Sequence, residues 1–450
     1  MDSRLVRRIC GLILMVFVFG MTPVINAQEE ELPVLTLKEC IEKGLKNDPD
    51  LVRAKQSITN INNTLWTDAG AFLPSATAGV GYNWNSRPEV LEYREVTEGD
   101  STFTVPVYTN ESYSSSISAN MNLFNGFSDY FGLRADRQTK KSLQEGYSSQ
   151  VLNAVYDIKS SYYNVLETMK LADVMQKTLE RSQEQLKITQ TRYDLGSAAL
   201  SDVLKAKVSL GQAQLDLINA ENNYKISLAN LNYLVGNNID EQYRVDTSFE
   251  MQETNYTLES AVATAMEQNP TLQSYKYSLD ASRNGVRSAW GGFLPTVSLS
   301  YSSSWYDIGR LQFGGLFSKN NTYRYGVNFS LNIFDRFLTK RSVLIARAQL
   351  NTDRFIYNNY ISSLKLQVTQ SYLNYQKAQL SIQVSRDNLA SAQEDYKLAQ
   401  EKYSLGAATI LDLLDAEVSL RTAESNVIES EYNLNLAIAD LERSLGKFQY

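Results

Sequence analysis

From Ser75 to Trp84 the chain alternates strictly. Ala76, Ala78, Val80, Tyr82 and Trp84 are apolar or aromatic, and Ser75, Thr77, Gly79, Gly81 and Asn83 lie between them. Period two marks a strand with one apolar and one polar face. The pattern returns from Phe293 to Trp305, read FLPTVSLSYSSSW. Two return strands complete it. In one, Tyr113, Ile117, Ala119, Met121 and Leu123 alternate with Ser114, Ser116, Ser118, Asn120 and Asn122. In the other, Tyr323, Tyr325, Val327, Phe329, Leu331 and Ile333 alternate with Thr322, Arg324, Gly326, Asn328, Ser330 and Asn332. The pattern predicts four strands, at about 75–85, 112–124, 296–306 and 322–334.

Elsewhere the apolar period is that of helices. Val151, Val155, Ile158, Tyr162, Val165, Met169 and Ala172 step alternately by four and three, a coiled-coil seam, and Leu434, Ile438, Leu441 and Leu445 repeat it. No proline interrupts Phe127–Tyr193 or Phe337–Tyr403. Each predicts an unbroken helix of roughly 100 Å at about 1.5 Å per residue.

The chain is a duplication. Leu37, Pro49 and Pro74 match Leu258, Pro270 and Pro295 at an offset of 221. YDLGSAALSDVL from Tyr193 matches YSLGAATILDLL from Tyr403 at an offset of 210, and LANLNYLVG ending at Gly236 matches IADLERSLG ending at Gly446. The offset falls by 11 between Pro74 and Asn122, so the first repeat has the longer strand connection, expected as an exposed loop. After a leader at 1–27, the two repeats span 28–240 and 241–450. Each reads helix, strand, loop, strand, very long helix, turn, helix. Thr36 with Glu39 predicts a capping box at the first helix, and Pro74 and Pro295 close the helices that lead into strands.

Strands of about ten residues suit a tilted membrane crossing. Their polar faces of Ser, Asn, Thr and Gly suit a watery lumen. Trp84, Tyr113, Trp305, Tyr306 and Tyr323 crowd one end, with Phe124 and Phe334 at the other, as in two interfacial girdles. A soluble sheet with one wet face is the alternative, and it has less use for aromatics at both rims. Four strands close no membrane barrel, and open edges cannot stand in lipid, so further copies must complete the sheet. Strand count alone leaves dimer, trimer and tetramer open.

Composition narrows the function. Arg4, Arg7 and Arg8, the apolar run Ile9–Val18 and Ile25-Asn26-Ala27 read as a secretory signal peptide cleaved before Gln28. Cys10 lacks the small residues that precede a lipidated cysteine, and Cys40 is then the only cysteine, so no internal disulfide forms. The formal charge of −7 becomes −9 once one Asp and three Arg leave with the leader, which disfavours nucleic acid. There is no histidine, no phosphate-binding loop and no nucleophile elbow, so neither enzyme, metal site nor cofactor is expected. No later run of eighteen apolar residues predicts a transmembrane helix.

The two-fold repeat, the openings NDPDL and EQNPTL, the FLP strand entries and the paired YDLG and YSLG turns resemble the TolC-like outer membrane efflux proteins, from about Leu35 to Gly446. The resemblance implies a mainly α fold with a transmembrane β-barrel. Three chains would form a twelve-stranded barrel in the outer membrane, continued by an α-helical barrel in the periplasm. It implies a passive exit duct for small toxic compounds, docked on a periplasmic adaptor and driven by an inner-membrane pump. Protein secretion with an ABC transporter fits the same architecture. A pore-less periplasmic coiled-coil protein would share the seams, and a diffusion porin would have no use for such helices.

Glycine after Leu195 and Leu405 ends a helix at little cost, so Gly196 and Gly406 are expected turns at the periplasmic tip. The resemblance adds adaptor docking at Leu195, Gly196, Leu405 and Gly406. Thr409, Asp412 and Asp415 read first as a helix start, a cap followed by acids favoured by the dipole. The resemblance makes Asp412 and Asp415 carboxylate rings at the pore constriction. It likewise implies an entrance latch between Tyr403 and Asp202, beside Ser201. The family's latch arginine is absent, because Ala408 stands there.

Overall fold

The computed structural model describes residues 34–246, 256–308 and 321–447, so the leader expected at 1–27 lies outside the described residues. The first repeat runs β1 (Val34–Leu35), α1 (Leu37–Asn47), α2 (Pro49–Gly70), β2 (Ser75–Glu98), β3 (Ser101–Asn125), α3 (Ser128–Asp194) and α4 (Leu200–Val235). The second runs β4 (Arg244–Val245), α5 (Leu258–Gln268), α6 (Pro270–Trp290), β5 (Thr296–Ile308), β6 (Asn321–Ser330), α7 (Leu338–Ser404) and α8 (Ile410–Leu445). α3 and α7 are each 67 residues long.

Local chemistry sets the boundaries. The Thr36 hydroxyl accepts from the Glu39 N–H at 3.3 Å and the Glu39 carboxylate accepts from the Thr36 N–H at 3.0 Å, the expected capping box. Asp48 and Asn269 cap α2 and α6, with Pro49 and Pro270 at the first helical position, where no N–H is needed. Short turns closed by Leu73 N–H to Gly70 O and by Leu294 N–H to Gly291 O, both 2.9 Å, bring each chain to its proline and strand.

Each repeat buries its own core. In the first, Cys40 and Ile41 of α1 meet Ile158, Tyr162 and Val165 of α3 and Leu231 and Val235 of α4. In the second, Ala261, Val368, Leu441 and Leu445 occupy the places of Cys40, Ile158, Leu231 and Val235. The repeats compensate volume. A Cβ on Gly44 would lie 2.5 Å from Ile158 Cδ1, whereas its counterpart Ala265 belongs to the cluster of the smaller Val368. Both replacements differ by one carbon, which close packing requires.

The repeats join side by side, α3 lying against α8 and α6. Ion pairs follow the α3–α8 seam, Lys159–Glu442 at 2.7 Å, Lys170–Glu431 at 2.9 Å and Arg181–Glu424 at 3.0 Å. Lys159–Glu442 is the most buried of the three, so removing Lys159 would leave a shielded carboxylate without this partner.

The sheet order is β2-β3-β5-β6, every pair antiparallel, with β2 and β6 as open edges. Three strand extents, those of β2, β3 and β6, differ from the sequence expectation. The connection in the first repeat is not a loop: β2 and β3 pair on to Glu98↔Ser101, turning at Gly99 with φ +62°. Glycine meets that conformation without a Cβ penalty. Among the described residues β3 pairs with β5 only from Ser112 onward, so no described strand on that side needs the N–H that Pro106 lacks. Conversely, β6 stops at Ser330, short of the expected 334. Its counterpart β3 continues to Asn125 because β5 holds Met121, Asn122, Phe124 and Asn125 from the far side. Among the described residues β6 has no strand on that side.

One joint differs in chemistry between repeats. Asp68 of α2 and Asp136 of α3 share a hydrogen bond where the second repeat has Ala289 and Ala346. Burial, then the bond to Asp68 and its charge, raise Asp136 to about 6. A raised carboxyl pKa means that the folded state holds the proton. The stability it contributes is present at low pH and lost as pH rises through about 6. Glu167, raised to about 7 by burial and then by the Glu429 charge, titrates in an overlapping range. We expect Asp68→Ala with Asp136→Ala to reduce, against the unsubstituted protein, the fall in Tm between about pH 5 and about pH 7.5. An unchanged pH dependence in calorimetry would remove the pair from the account.

Candidate functional site: the helical tips

The chain reverses at two tips, α3 into α4 and α7 into α8. Gly196 (φ +77°) and Gly406 (φ +76°) are left-handed. At the first, Ser197 N–H reaches Arg192 O and Gly196 N–H reaches Tyr193 O, both 2.8 Å. At the second, Ala407 N–H reaches Lys402 O at 2.8 Å and Gly406 N–H reaches Tyr403 O at 3.1 Å. These paired bonds satisfy the orphan carbonyls of a helix end. Nothing within 4 Å faces a Cβ at either glycine, and Leu195 and Leu405 are 78% and 83% exposed. Both tips present a bare leucine beside a bare glycine.

The helices leaving the tips start differently. Thr409 caps α8 in a full box: Asp412 Oδ2 accepts from the Thr409 N–H and hydroxyl, each at 2.8 Å, and the Thr409 oxygen accepts from the Asp412 N–H at 3.3 Å. At α4 the position is Ala199, which has no hydroxyl. Only the return half remains, Asp202 Oδ2 accepting from the Ala199 N–H at 3.4 Å, with the Ser201 hydroxyl donating to Oδ1 at 3.4 Å.

Asp412 and Asp415 are exposed on the first turns of α8, and neither takes part in an ion pair among the described residues. The Thr409 backbone N–H, then its hydroxyl, hold the Asp412 carboxyl below its usual range, so it is charged at neutral pH. Glu417 differs. It is buried, accepts from the Ser182 hydroxyl at 3.4 Å and is pushed up by that burial. The helix-start reading of Asp412 is therefore correct as structure, and its free charge remains on the surface.

Tyr403 is buried in a cluster with Ile410 and Leu413. Its phenol lies 3.2 Å from the Thr189 hydroxyl, which already donates to Gln185 O at 2.9 Å. A threonine has one hydroxyl proton, so the tyrosine is the donor in this pair. The phenol proton is thus committed within the chain, and Tyr403 and Asp202 are not hydrogen-bonded to each other.

One contributor was not among the expected site residues. Arg192, in the last turn of α3, donates to Tyr403 O at 2.8 Å and to Ser404 O at 2.6 Å, and its guanidinium stands 4.7 Å from the Tyr403 ring centroid. A cation in the last turn is ordinarily credited to its own helix dipole. Here it caps the end of α7 instead. The sequence signal is an arginine where the second repeat has Lys402. With Ala408 half-buried and uncharged, Arg192 supplies the guanidinium at this tip.

A family model described as outer membrane efflux protein matches the chain twice, over residues 40–237 and 261–447. The chain is 22% identical over 413 residues to the outer membrane efflux protein BepC of Brucella suis, spanning 92% of this chain and 85% of that one. It is 22% identical over 422 residues to the outer membrane protein TolC of Vibrio cholerae, spanning 91% and 90%. Its fold is that of the Campylobacter jejuni CmeC outer membrane channel, with a TM-score of 0.78 at 18% identity over 91% of this chain and 85% of that one. The chain belongs to the outer membrane efflux protein family, as a TolC-like channel of the outer membrane that extends into the periplasm and is not an enzyme.

Proposed function

We propose that three copies of the chain form the exit duct of a tripartite efflux system, a passive conduit for small toxic compounds driven by an inner-membrane pump. The observation that carries this reading is the pair of open edges, β2 and β6, on a four-stranded sheet. Lipid supplies no partner for their backbone groups, and a second copy does. The helical layer has matching edges. Exposed Val208, Leu215 and Ile218 line α4, and exposed Leu366, Leu373 and Leu380 step by seven along α7. Closing both layers continues a lipid-spanning barrel into a periplasmic tube.

Docking on a periplasmic adaptor uses the tips, where the exposed Leu195–Gly196 and Leu405–Gly406 turns offer an apolar side chain next to accessible backbone. Asp412 and Asp415 form carboxylate rings at the entrance, and Tyr403, Asp202 and Arg192 belong to the elements that hold it shut. Light scattering in detergent, corrected for bound detergent, should give three chains. A monodisperse monomer would refute the shared barrel.

A further inference from the structure

We infer that the cavity between α3, α4 and α8 is a binding site for an amphipathic organic cation, with the Glu417 carboxylate as its counter-ion. The site is built from residues of one chain, so it goes beyond the assembly proposed above and does not depend on it.

The cavity has a volume of about 580 Å³. Small-molecule sites usually measure about 300–1,000 Å³, with mostly apolar walls and a few placed polar groups. Thr178 and Ser182 of α3, both buried, form the floor. Leu204 of α4 and Leu411 and Val418 of α8 stand at the sides, apolar and exposed. Into this wall α8 sends Glu417, which is only 5% exposed. Its Oε1 accepts from the Ser182 hydroxyl at 3.4 Å, a long bond. Among the described residues the carboxylate makes no other hydrogen bond and no ion pair. An acid held in an apolar wall costs free energy until a partner answers it.

The nearest guanidiniums are committed elsewhere. Arg421 pairs with Asp216, which also accepts from the Gln212 amide at 2.8 Å, and Arg181 pairs with Glu424 at 3.0 Å. Lys205 stands exposed at the rim, with no ion pair among the described residues. Water screens that rim charge, whereas the sheltered charge of Glu417 acts at a lower effective dielectric. The sign of the site is therefore set by the acid, and the geometry selects a cation.

The other repeat serves as an internal control. Leu414 and Val418 correspond to Leu204 and Val208, so the apolar positions persist. Glu417, however, corresponds to the exposed Lys207, and its donor Ser182 corresponds to Ala392. Helix pairing explains the leucines and valines. It does not call for a buried carboxylate, because the same pairing is made at the other tip without one.

The test uses two ions with the same four-ring body and opposite charge, tetraphenylphosphonium and tetraphenylborate. Equilibrium dialysis of the full chain in maltoside should show one saturable phosphonium site per chain. Micelles take up both ions, so the readout is the difference between variants at one detergent concentration. Glu417→Gln keeps the shape of the wall and should weaken phosphonium binding by about tenfold or more, without weakening borate binding. Val418→Trp, at an exposed position, should fill the cavity and abolish saturable phosphonium binding. Asp412→Asn with Asp415→Asn should leave that binding unchanged. Equal affinity for the two ions in the unsubstituted protein overturns the inference, as does phosphonium binding unaltered by Glu417→Gln or by Val418→Trp. Binding lost with Asp412 and Asp415 but kept in Glu417→Gln overturns it too, since the cation then belongs to the exposed carboxylates. If Glu417→Gln fails to fold, the two-ion comparison and Val418→Trp still decide. A monomer in light scattering would refute the shared barrel and leave this result standing.

Discussion

Arg192→Ala combined with Tyr403→Phe is expected to raise single-channel conductance and to make cells leakier to large antibiotics of vancomycin size. The substitutions remove the two bonds from Arg192 to the end of α7, the stacking on the ring, and the phenol bond to Thr189. Hydrogen bonds to charged groups contribute about 1.5–3 kcal/mol each when sheltered. The cation–π contact adds about 0.5–1 kcal/mol at an exposed site. Solvent reduces these values at the half-exposed tip, but repetition in each copy compounds them. A total of about 5.5 kcal/mol moves a two-state equilibrium from 1:99 to 99:1. Tyr403→Phe with Asp202→Ala should have a smaller effect, since Asp202 is engaged with the start of its own helix. Conductance equal to that of the unsubstituted channel, with normal amounts of trimer in the membrane, would show that Arg192 and Tyr403 do not hold the entrance.

Converting Asp412 and Asp415 to Asn should sharply reduce cation selectivity in planar bilayers without loss of assembly. On the proposed assembly, three copies would place six carboxylates in a confined ring, and like charges gathered there would raise the local cation concentration. The capping box survives the change, because an asparagine carbonyl can still accept from the Thr409 N–H and hydroxyl. The selectivity of the unsubstituted channel should weaken with salt, as exposed charges are screened over about 8–10 Å at 0.1–0.15 M. If selectivity is unchanged, the two aspartates serve only as helix-start residues.

The sequence by itself determined the repeat, the two helix lengths, the strand faces and the capping of α1 and α8. Each follows from local rules. Period two or period three-and-a-half fixes which face is apolar, and a threonine three residues before an acid marks a helix start. The tips were legible for the same reason, because left-handed turns favour glycine. What the sequence left open depends on side chains distant in the chain. The committed proton of Tyr403 follows from Thr189, 214 residues from it in sequence, already donating to Gln185 O. Arg192 looks like an ordinary end-of-helix cation until α7 is laid beside α3. The strand extents depended on partners too: β3 reaches Asn125 because β5 holds it, and β6 stops at Ser330, where no described strand stands beyond it. A strand residue is held only where a neighbour completes its hydrogen bonds, and only the tertiary structure decides where neighbours stand.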